Sequence, residues 1–370
     1  MRILLFGEYS NVHWTLAQGL RALGHEVTVI SDGDGWKNYQ RDIDLTRKSV
    51  GRWDTIKYLW KLKRLMPKLK DYDVVQLINP IFLELRAEHI LPYYRQLRQQ
   101  NRNIFLAAYG MDKIWVQVCR DCQTFRYSDF NLGSNLRESE DIDTWVKEWL
   151  HGPKGEVNDY IARDCDGIVS GLYEYQICYQ QFYPHKLRYI PFPIEVQSFK
   201  PKPASLPLRF FIGIQASRSA YKGTDIMLRA LERLQRKYPE KIIIEKAENV
   251  PFPIYQQMID RSDLLLDQLY SYTPGMNGLL AMSRGLVLVG GGEEEHYVML
   301  GEKELRPIIN VQPSEDEVYN ELEKIVLDPD CINGLKADSI SYVKKHHDHI
   351  KVAQQYLDFW NETIHHRTSI

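Results

Sequence analysis

The chain has 370 residues, enough for two domains of ordinary size, and 44% of them are hydrophobic and 26% charged, as in globular proteins. A formal net charge of −2 gives no electrostatic reason to expect a nucleic-acid partner. No apolar stretch approaches a membrane span, and we expect the opening MRILLFGEYS to form a strand and not a secretory signal. The five scattered cysteines are typical of a reducing cytoplasm, where we expect the protein.

Short apolar runs alternate with helical patterns in the first 200 residues. Arg2–Phe6 is predicted as a strand, and the leucine spacing from Trp14 to Leu23 predicts a helix. Further predictions follow for strands at 25–30, 74–78, 104–109, 167–170 and 188–190, and for a helix at 82–99. This alternation is typical of a parallel sheet covered by helices on both faces.

A proline-rich linker, FKPKPASLP at 199–207, separates this pattern from a second one like it. Strands are predicted at 208–214, 241–245, 264–267 and 286–289, and helices at 224–234, 254–259, 276–284 and 346–363. We therefore predict an α/β protein with two Rossmann-like, doubly wound domains, residues 1–200 and 201–345, facing across a cleft. The tail, residues 346–370, is predicted to pack back on the N-terminal domain. Ligands of such sheets bind beyond the carboxyl ends of the strands.

Several segments resemble glycosyltransferase family 4, whose members have the GT-B fold. They are YDVVQLINP at 72–80, IFLAAYG at 104–110, FIGIQASRSAYKG at 211–223 and the long segment from SDLLLDQ to LVLVGGG at 262–292. The resemblance implies a retaining, metal-independent transfer of a sugar from a nucleoside-diphosphate sugar to a glycan or lipid-linked acceptor. It places that reaction in cell-surface polysaccharide or glycoconjugate synthesis and implies no cofactor besides the donor substrate.

Polar residues follow two strands where the reaction would take place. Arg218 and Lys222 lie after a predicted strand and before a helix that starts at Gly223. Two cations beside helix amides would hold the diphosphate leaving group, although both residues are also explained as solvated loop cations. The resemblance favours the catalytic role. Asp112, two residues after Gly110, is a second catalytic candidate near the reacting carbon.

The loops before and after the last predicted strand supply donor-binding candidates. Gly275 lets the backbone approach a ligand, and the amides of Met276 and Asn277 would donate to phosphate or sugar oxygens. The alternative is an ordinary turn and helix cap. Gly291 and Glu294 belong to a glycine-rich loop with three glutamates, which would bind sugar hydroxyls or form only an acidic first turn.

The resemblance is incomplete at three polar positions. Family members carry two glutamates eight positions apart, and alignment on the glycine before the helix places Tyr272 and Leu280 there. Tyr109 replaces the histidine of the family's His-Gly pair. Tyr272, Asn277 and Glu294 are therefore candidates for donor contacts. The alternative is a degenerate, non-catalytic GT-B protein that binds a nucleotide or glycan.

The loop after the first predicted strand faces the cleft. Gly7, Asn11 and His13 in this loop, with Tyr109, are the candidates for the acceptor side, and His13 is equally explained as a capping or packing residue. The D-x-D pairs are too numerous to indicate a metal site, and we expect none. An oxidoreductase is the less favoured alternative, because no G-x-G-x-x-G turn follows a strand.

Residues 47–70 are strongly basic, with nine Lys and Arg against the single acidic residue Asp54. Tryptophans and leucines are interleaved with these cations, a pattern typical of helices that lie on an anionic membrane surface. We therefore consider peripheral contact with the inner face of the membrane. The alternative is an ordinary helix whose apolar stripe meets the sheet and whose lysines face water.

Overall fold

The computed structural model describes residues 1–197, 199–214, 219–248 and 250–368. Residues 1–197 are called the N-terminal half, and the remainder the C-terminal half. The strands of the N-terminal half are β1 (Arg2–Phe6), β2 (Glu26–Ser31), β3 (Ile43–Asp44), β4 (Val74–Leu77), β5 (Ile104–Ala107), β6 (Asn131–Leu132), β7 (Asn135–Leu136), β8 (Gly167–Ser170) and β9 (Leu187–Tyr189). Its helices are α1 (Val12–Ala22), α2 (Arg52–Leu65), α3 (Ile90–Gln100), α4 (Lys113–Cys119), α5 (Glu140–Leu150), α6 (Pro153–Asp164) and α7 (Tyr173–Gln180).

The C-terminal half repeats the alternation of strand and helix. Its strands are β10 (Leu208–Ile214), β11 (Ile242–Glu248), β12 (Leu264–Leu266), β13 (Val287–Gly290) and β14 (Ile309–Asn310). Its helices are α8 (Ser219–Lys222), α9 (Thr224–Lys237), α10 (Phe252–Asp260), α11 (Met276–Ser283), α12 (Glu294–Leu300), α13 (Glu315–Leu327), α14 (Cys331–His346) and α15 (His349–Thr368).

Each half contains one parallel sheet, and the order of strands reverses within it. In the described part of the chain the first sheet has the order β3-β2-β1-β4-β5-β8-β9 and the second β11-β10-β12-β13-β14. The reversals lie between β1 and β4 and between β10 and β12, strands that pair in parallel. Loops on either side of a reversal run to opposite faces of the sheet, so a crevice opens at the carboxyl ends of the strands.

The apolar strands form because both faces of each sheet are covered. In β1, Ile3 and Leu5 pack into one hydrophobic core, whereas Leu4 and Phe6 pack into another on the opposite face. Side chains alternate along a strand, so a continuous apolar run supplies both cores. The two-domain α/β architecture predicted from these runs is confirmed.

Two predicted helices differ from those observed. The helix predicted at 82–99 begins only at Ile90, because the segment that includes Phe82 and Leu83 is a buried loop with no helical pattern of its own. The tail helix predicted at 346–363 is α15, which starts at His349. It is separated from α14 because Ile194 donates its amide to the His347 carbonyl (2.6 Å) and accepts from the His349 amide (3.0 Å).

The last helix, α15, packs on α1 of the N-terminal half. Tyr356 and Trp360 are fully buried, and Trp360 contacts Phe105 of β5 with ring centroids 6.0 Å apart. The approach of the two helices depends on Gly19, where an added Cβ would lie 2.2 Å from the carbonyl oxygen of His349. A second helical glycine, Gly334 of α14, is exposed and has open space at the same position.

These two glycines make a matched pair. Gly19→Ala should lower the free energy of unfolding by about 1–3 kcal/mol, because the new methyl group overlaps backbone atoms of α15. Gly334→Ala should raise it by about 0.5–1 kcal/mol, because alanine favours an exposed helix without any clash. Urea unfolding followed by circular dichroism measures both; equal effects would contradict this packing of α15.

Candidate functional site

Loops from the carboxyl ends of both sheets meet across the crevice. The Tyr272 hydroxyl accepts from the Arg126 amide (2.8 Å), and the Tyr173 amide donates to the Thr273 hydroxyl (3.3 Å). The loop after β12 is thereby joined to the loop after α4 and to the start of α7. The predicted site residues of the C-terminal half that the structure describes lie along the same edge of the second sheet, after β10, β12 and β13.

Lys222 ends the short helix α8, and Gly223 follows it at the N-terminus of the longer helix α9. Gly223 has φ +74°, and an added Cβ would lie 2.7 Å from the Leu269 Cβ. The Lys222 carbonyl accepts from the Leu269 amide at 2.8 Å, which fixes the lysine against the loop after β12. Lys222 is partly exposed and directly precedes the first turn of α9, a position from which a cation and helix amides can act together on an anion. Arg218, predicted to act with Lys222, lies outside the described residues.

The helix that carries Lys222 is held by the N-terminal half. The Arg137 guanidinium donates to the carbonyls of Ala220 (2.6 Å) and Tyr221 (3.2 Å) and lies 3.6 Å from the centroid of the Tyr270 ring. The Tyr221 hydroxyl donates to the partly buried Asp129 carboxylate, whose pKa desolvation raises to about 6. These contacts fix the segment before Lys222 from the opposite side of the crevice.

Gly275 and Met276 lie at the N-terminus of α11, as predicted. The Asn277 amide group donates to an Asp267 oxygen (3.0 Å), and its oxygen accepts from the Tyr255 hydroxyl (3.0 Å). Asp267 follows β12 and Tyr255 belongs to α10, so the three side chains form a polar row along the edge of the second sheet. The row was not predicted as a unit, because its members are far apart in sequence.

Tyr272 and Gly291, both predicted to bind the donor, are packed against neighbouring protein groups. The Tyr272 ring is buried and stacks between Tyr127 and Tyr173, with centroids 4.8 and 5.5 Å away. At Gly291 an added Cβ would lie 2.3 Å from the Ser271 carbonyl oxygen. Tyr272 therefore points into an aromatic stack shared with the N-terminal half, and Gly291 allows two loops to touch.

Glu294 is exposed, and its neighbour Glu293 is the buried residue. Glu294 forms an ion pair with Arg306, whose hydrogen bonds lower the pKa of that carboxyl. Glu293 accepts from the Tyr127 hydroxyl (2.5 Å), Arg126 (2.8 Å) and Gln312 (2.6 Å). Burial opposes the charge of Glu293, but these bonds lower its pKa overall. The acidic contacts across the crevice thus come from Glu293 and from Glu295, which also pairs with Arg126, whereas the predicted Glu294 pairs with Arg306.

Two candidates near the end of β5 are engaged in structural contacts. The buried Tyr109 hydroxyl is hydrogen-bonded to the Tyr356 hydroxyl of α15. Asp112 caps α4: its carboxylate accepts from the Trp115 amide (2.8 Å) and the Tyr179 hydroxyl (2.6 Å). Burial raises the Asp112 pKa to about 6. These bonds occupy both oxygens of Asp112 and favour a capping role.

The loop after β1 lies in the crevice of the first sheet, as predicted. Gly7 has φ +90°, and an added Cβ there would overlap Ile78 at 2.1 Å. Asn11 occupies the N-cap position of α1, and its side-chain amide donates to the Thr15 hydroxyl (3.2 Å). His13 is fully buried, its Nδ1 lies 2.8 Å from the Gly7 carbonyl, and burial lowers its pKa to about 4. The neutral His13 ring thus supports the loop.

A cavity of about 110 Å³ opens beside this loop. Its lining includes the carboxylates of Glu8, Asp32, Asp34 and Glu84 and the rings of Tyr9 and Tyr58. Asp34 is paired with Lys37 (2.6 Å), whereas Glu8 is buried and accepts from the amides of His13 (3.2 Å) and Trp14 (2.8 Å). Burial, partly offset by these bonds, raises the pKa of Glu8 to about 8. The cavity therefore offers hydroxyl and carboxyl groups suited to a polyhydroxylated ligand.

Sequence reasoning missed two buried carboxylates of the crevice, Glu8 and Glu174, and named the buried Glu293 only as one of three adjacent glutamates. A glutamate directly after a first strand is a usable signal for Glu8, since carboxyl ends of parallel strands face the site. Nothing in the segment around Glu174 distinguishes it from a helix's acidic first turn. Among the described residues, no group of three His, Cys, Asp or Glu side chains is placed to hold a metal ion.

The raised pKa of Glu8 predicts a pH-dependent stability. Between its unfolded pKa, about 4.3, and its folded pKa of about 8, the folded protein binds the extra proton, so stability falls as pH rises through this window. Glu8→Gln has no carboxyl proton to lose. The melting temperature of this variant relative to that of the wild type should therefore rise from pH 5 to pH 9. Glu138→Gln, at an exposed carboxylate, is the control. If the difference in melting temperature between Glu8→Gln and the wild type did not change with pH, the raised pKa of the buried Glu8 would be contradicted.

No protein-family model and no curated protein sequence matches the chain. Solved structures do. Sucrose-phosphate synthase from Thermosynechococcus elongatus superposes with a TM-score of 0.63 at 13% identity, covering 98% of this chain and 99% of that one. HepE from Anabaena, in complex with UDP and glucose, gives a TM-score of 0.61 at 11% identity, covering 98% of this chain and 100% of that one.

A third similar structure is WaaG, a glycosyltransferase involved in lipopolysaccharide biosynthesis, with a TM-score of 0.53 at 13% identity over 97% of this chain and 99% of that one. Likeness at such low identity concerns the fold and extends over almost the full length of each chain. The two parallel sheets, their reversals and the crevice between them are those of this architecture: the chain has the GT-B fold.

Proposed function

We propose that the chain is a glycosyltransferase that moves a sugar from a nucleoside-diphosphate sugar to a glycan or lipid-linked acceptor, with retention and without a metal. The observation that carries the proposal is the junction at Lys222. There the backbone of Lys222, the N-terminus of α9 and the loop after β12 converge at the carboxyl edge of the second sheet. The Asp267–Asn277–Tyr255 row and the N-terminus of α11 lie along the same edge.

The chemistry follows from these positions. The bond between the anomeric carbon and the β-phosphate oxygen breaks while the acceptor hydroxyl bonds to that carbon on the same face. The hydroxyl proton passes to the leaving phosphate oxygen, so no strong protein base is needed. Lys222 and the amides of α9, together with Arg218 as predicted from the sequence, stabilise the charge that develops on the diphosphate. Positioning the two substrates supplies much of the remaining rate.

The acceptor lies on the N-terminal side. The cavity beside the loop after β1 has hydroxyl and carboxyl groups for sugar hydroxyls and the Tyr9 and Tyr58 rings for an apolar sugar face. Loss of the two family glutamates, at Tyr272 and Leu280, favours the alternative of a non-catalytic GT-B protein that binds a nucleotide or glycan. HepE has been solved in complex with UDP-glucose, so UDP is the first nucleotide to test.

The test is a thermal-shift series with UDP, GDP, ADP, dTDP and CMP, with and without EDTA. One diphosphate should raise the melting temperature, because a ligand at 100 times its Kd stabilises the folded state by about 2.7 kcal/mol. EDTA should not change the shift. Lys222→Ala should abolish most of it, whereas Lys344→Ala, at an exposed lysine of α14, should retain it.

A second assay separates transfer from binding. The selected nucleotide sugar should release its diphosphate faster when glycan or lipid-linked acceptors are added, and Lys222→Ala should slow that release. A diphosphate that binds with no turnover on any acceptor would favour the non-catalytic alternative. No shift with any nucleotide would refute the transferase proposal.

We further propose that residues 47–70 contact an anionic membrane at the cytoplasmic face. Tyr58 and Leu62 of α2 are buried against the sheet, but Trp53 and Trp60, 76% and 60% exposed, face away from it with Ile56. The apolar stripe that meets the sheet is therefore not the one that carries the tryptophans. Their neighbours are the cations of the basic segment, and the Arg64 guanidinium lies 4.2 Å from the Trp60 ring centroid.

Tryptophan and lysine together suit the boundary between lipid headgroups and acyl chains. Among the described residues, none of the helices combines the length and apolarity that crossing a bilayer requires. The proposal is therefore contact with the surface only.

This contact predicts binding to vesicles of phosphatidylglycerol and phosphatidylcholine, weakened by salt and absent with phosphatidylcholine alone. Trp53→Ala/Trp60→Ala should reduce the bound fraction about tenfold in co-sedimentation, since two interfacial side chains are lost. The control is Phe182→Ala/Val298→Ala, which removes two exposed apolar side chains elsewhere. Equal binding by the two double variants would contradict docking through α2.

A further inference from the structure

Glu174 lies in the first turn of α7 and reaches across the crevice to the loop after β12. It is 4% exposed, and its Oε1 accepts from the Ser271 hydroxyl (3.0 Å) and the amides of Tyr272 (2.6 Å) and Thr273 (3.2 Å). These donors are uncharged and come from the stretch just before Gly275 and α11. Glu174 is therefore a carboxylate from the N-terminal half placed against the donor-side loop.

The second oxygen of this carboxylate differs from the first. Glu174 Oε2 is buried and makes no hydrogen bond among the described residues. A buried carboxylate oxygen is costly to leave unpaired, and burial raises the Glu174 pKa. Glu293, the other buried acidic group of this region, has both oxygens hydrogen-bonded. Glu174 thus retains an acceptor position that the fold does not use.

Three segments predicted to bind the substrates lie close to Glu174 in the fold. The neighbouring Tyr175 hydroxyl accepts from the Gly110 amide (3.1 Å), which brings the loop after β5 to α7. Gly291, after β13, lies against the loop after β12 that Glu174 binds. An added Cβ at Gly291 would lie 3.0 Å from the Thr273 amide nitrogen. The helix that carries Glu174 and the loop that it binds are therefore contacted by the loops after β5 and β13.

Tyr272 cannot supply a carboxylate here, and its ring is turned into the aromatic stack with Tyr127 and Tyr173. We propose that Glu174 supplies it instead: its Oε2 accepts a hydrogen bond from a hydroxyl of the transferred sugar. This inference rests on the proposed function and assigns the donor-sugar contact to the N-terminal half. The sugar reaches Oε2 when α7 and the loop 271–273 separate, and it replaces part of their mutual contact.

The alternative is that Glu174 only joins the two halves, and two ligands distinguish these roles. UDP lacks the sugar and UDP-glucose carries it; if the thermal-shift series selects another base, the corresponding diphosphate and hexose donor replace them. Glu174→Ala should weaken binding of the nucleotide sugar about 10- to 100-fold in titration calorimetry, as loss of a bond to a charged acceptor does. Affinity for the diphosphate alone should stay within about twofold.

Ser271→Ala is the matched control, because it removes a contact between the halves but leaves Oε2 in place. It should change the affinities for both ligands by the same factor. Glu174→Gln keeps an oxygen for the loop amides and replaces the other with a donor, so it should show the selective loss in a smaller degree. It also serves if the alanine variant fails to fold.

Donors that lack one hydroxyl identify the contact. The wild type should bind one monodeoxy donor at least tenfold more weakly than the parent sugar, and Glu174→Ala should bind the two equally. Equal losses for the diphosphate and the nucleotide sugar in both Glu174 variants would overturn the proposal and leave only the joining role. If the wild type binds neither ligand, the proposed function itself fails, and this inference fails with it.

Discussion

Burial of carboxylates between the two halves is the constraint on which the arrangement of the crevice depends. Glu293 belongs to the C-terminal half but accepts from Arg126 and Tyr127 of the other, while Glu174 of the N-terminal half accepts from loop 271–273. Removing a carboxylate from water is unfavourable unless hydrogen bonds replace those of the solvent. Because these donors lie across the crevice, Glu293 and the Oε1 atom of Glu174 receive these hydrogen bonds only when the halves meet in this register.

That register brings helix termini to one place. The segment before Lys222 is fixed by Arg137 from the N-terminal half, and the Lys222 carbonyl is fixed by Leu269. The phosphate-binding part of the proposed site is consequently not preformed by the C-terminal half alone. The aromatic rings stacked on Tyr272 exclude water from the contact between loop 271–273 and the N-terminal half, which strengthens the hydrogen bonds of that contact.

The sequence predicts the sheets well because strands that are buried on both faces are short continuous apolar runs, as in β1 and β12. It predicts loop segments of the site, since parallel strands place their carboxyl ends together. It does not distinguish Glu293 from Glu294, because only the three-dimensional path decides which of the adjacent carboxylates turns inward. The start of α3 was wrong for a similar reason: Phe82 and Leu83 are apolar because a loop is buried, not because a helix begins.

Helix α2 lies between the acidic cavity and the exposed surface that carries the tryptophans. Tyr58 on its inner side lines the acidic cavity, while Trp53 and Trp60 project from the outer side. An α-helix with its side chains is about 10–12 Å across, so the cavity lies about one helix diameter from the tryptophans. For a protein docked through the tryptophans, as proposed, a lipid-linked acceptor would reach the cavity while its lipid stays in the bilayer. Encounter with the acceptor then becomes a search in two dimensions, set by lateral diffusion and surface density.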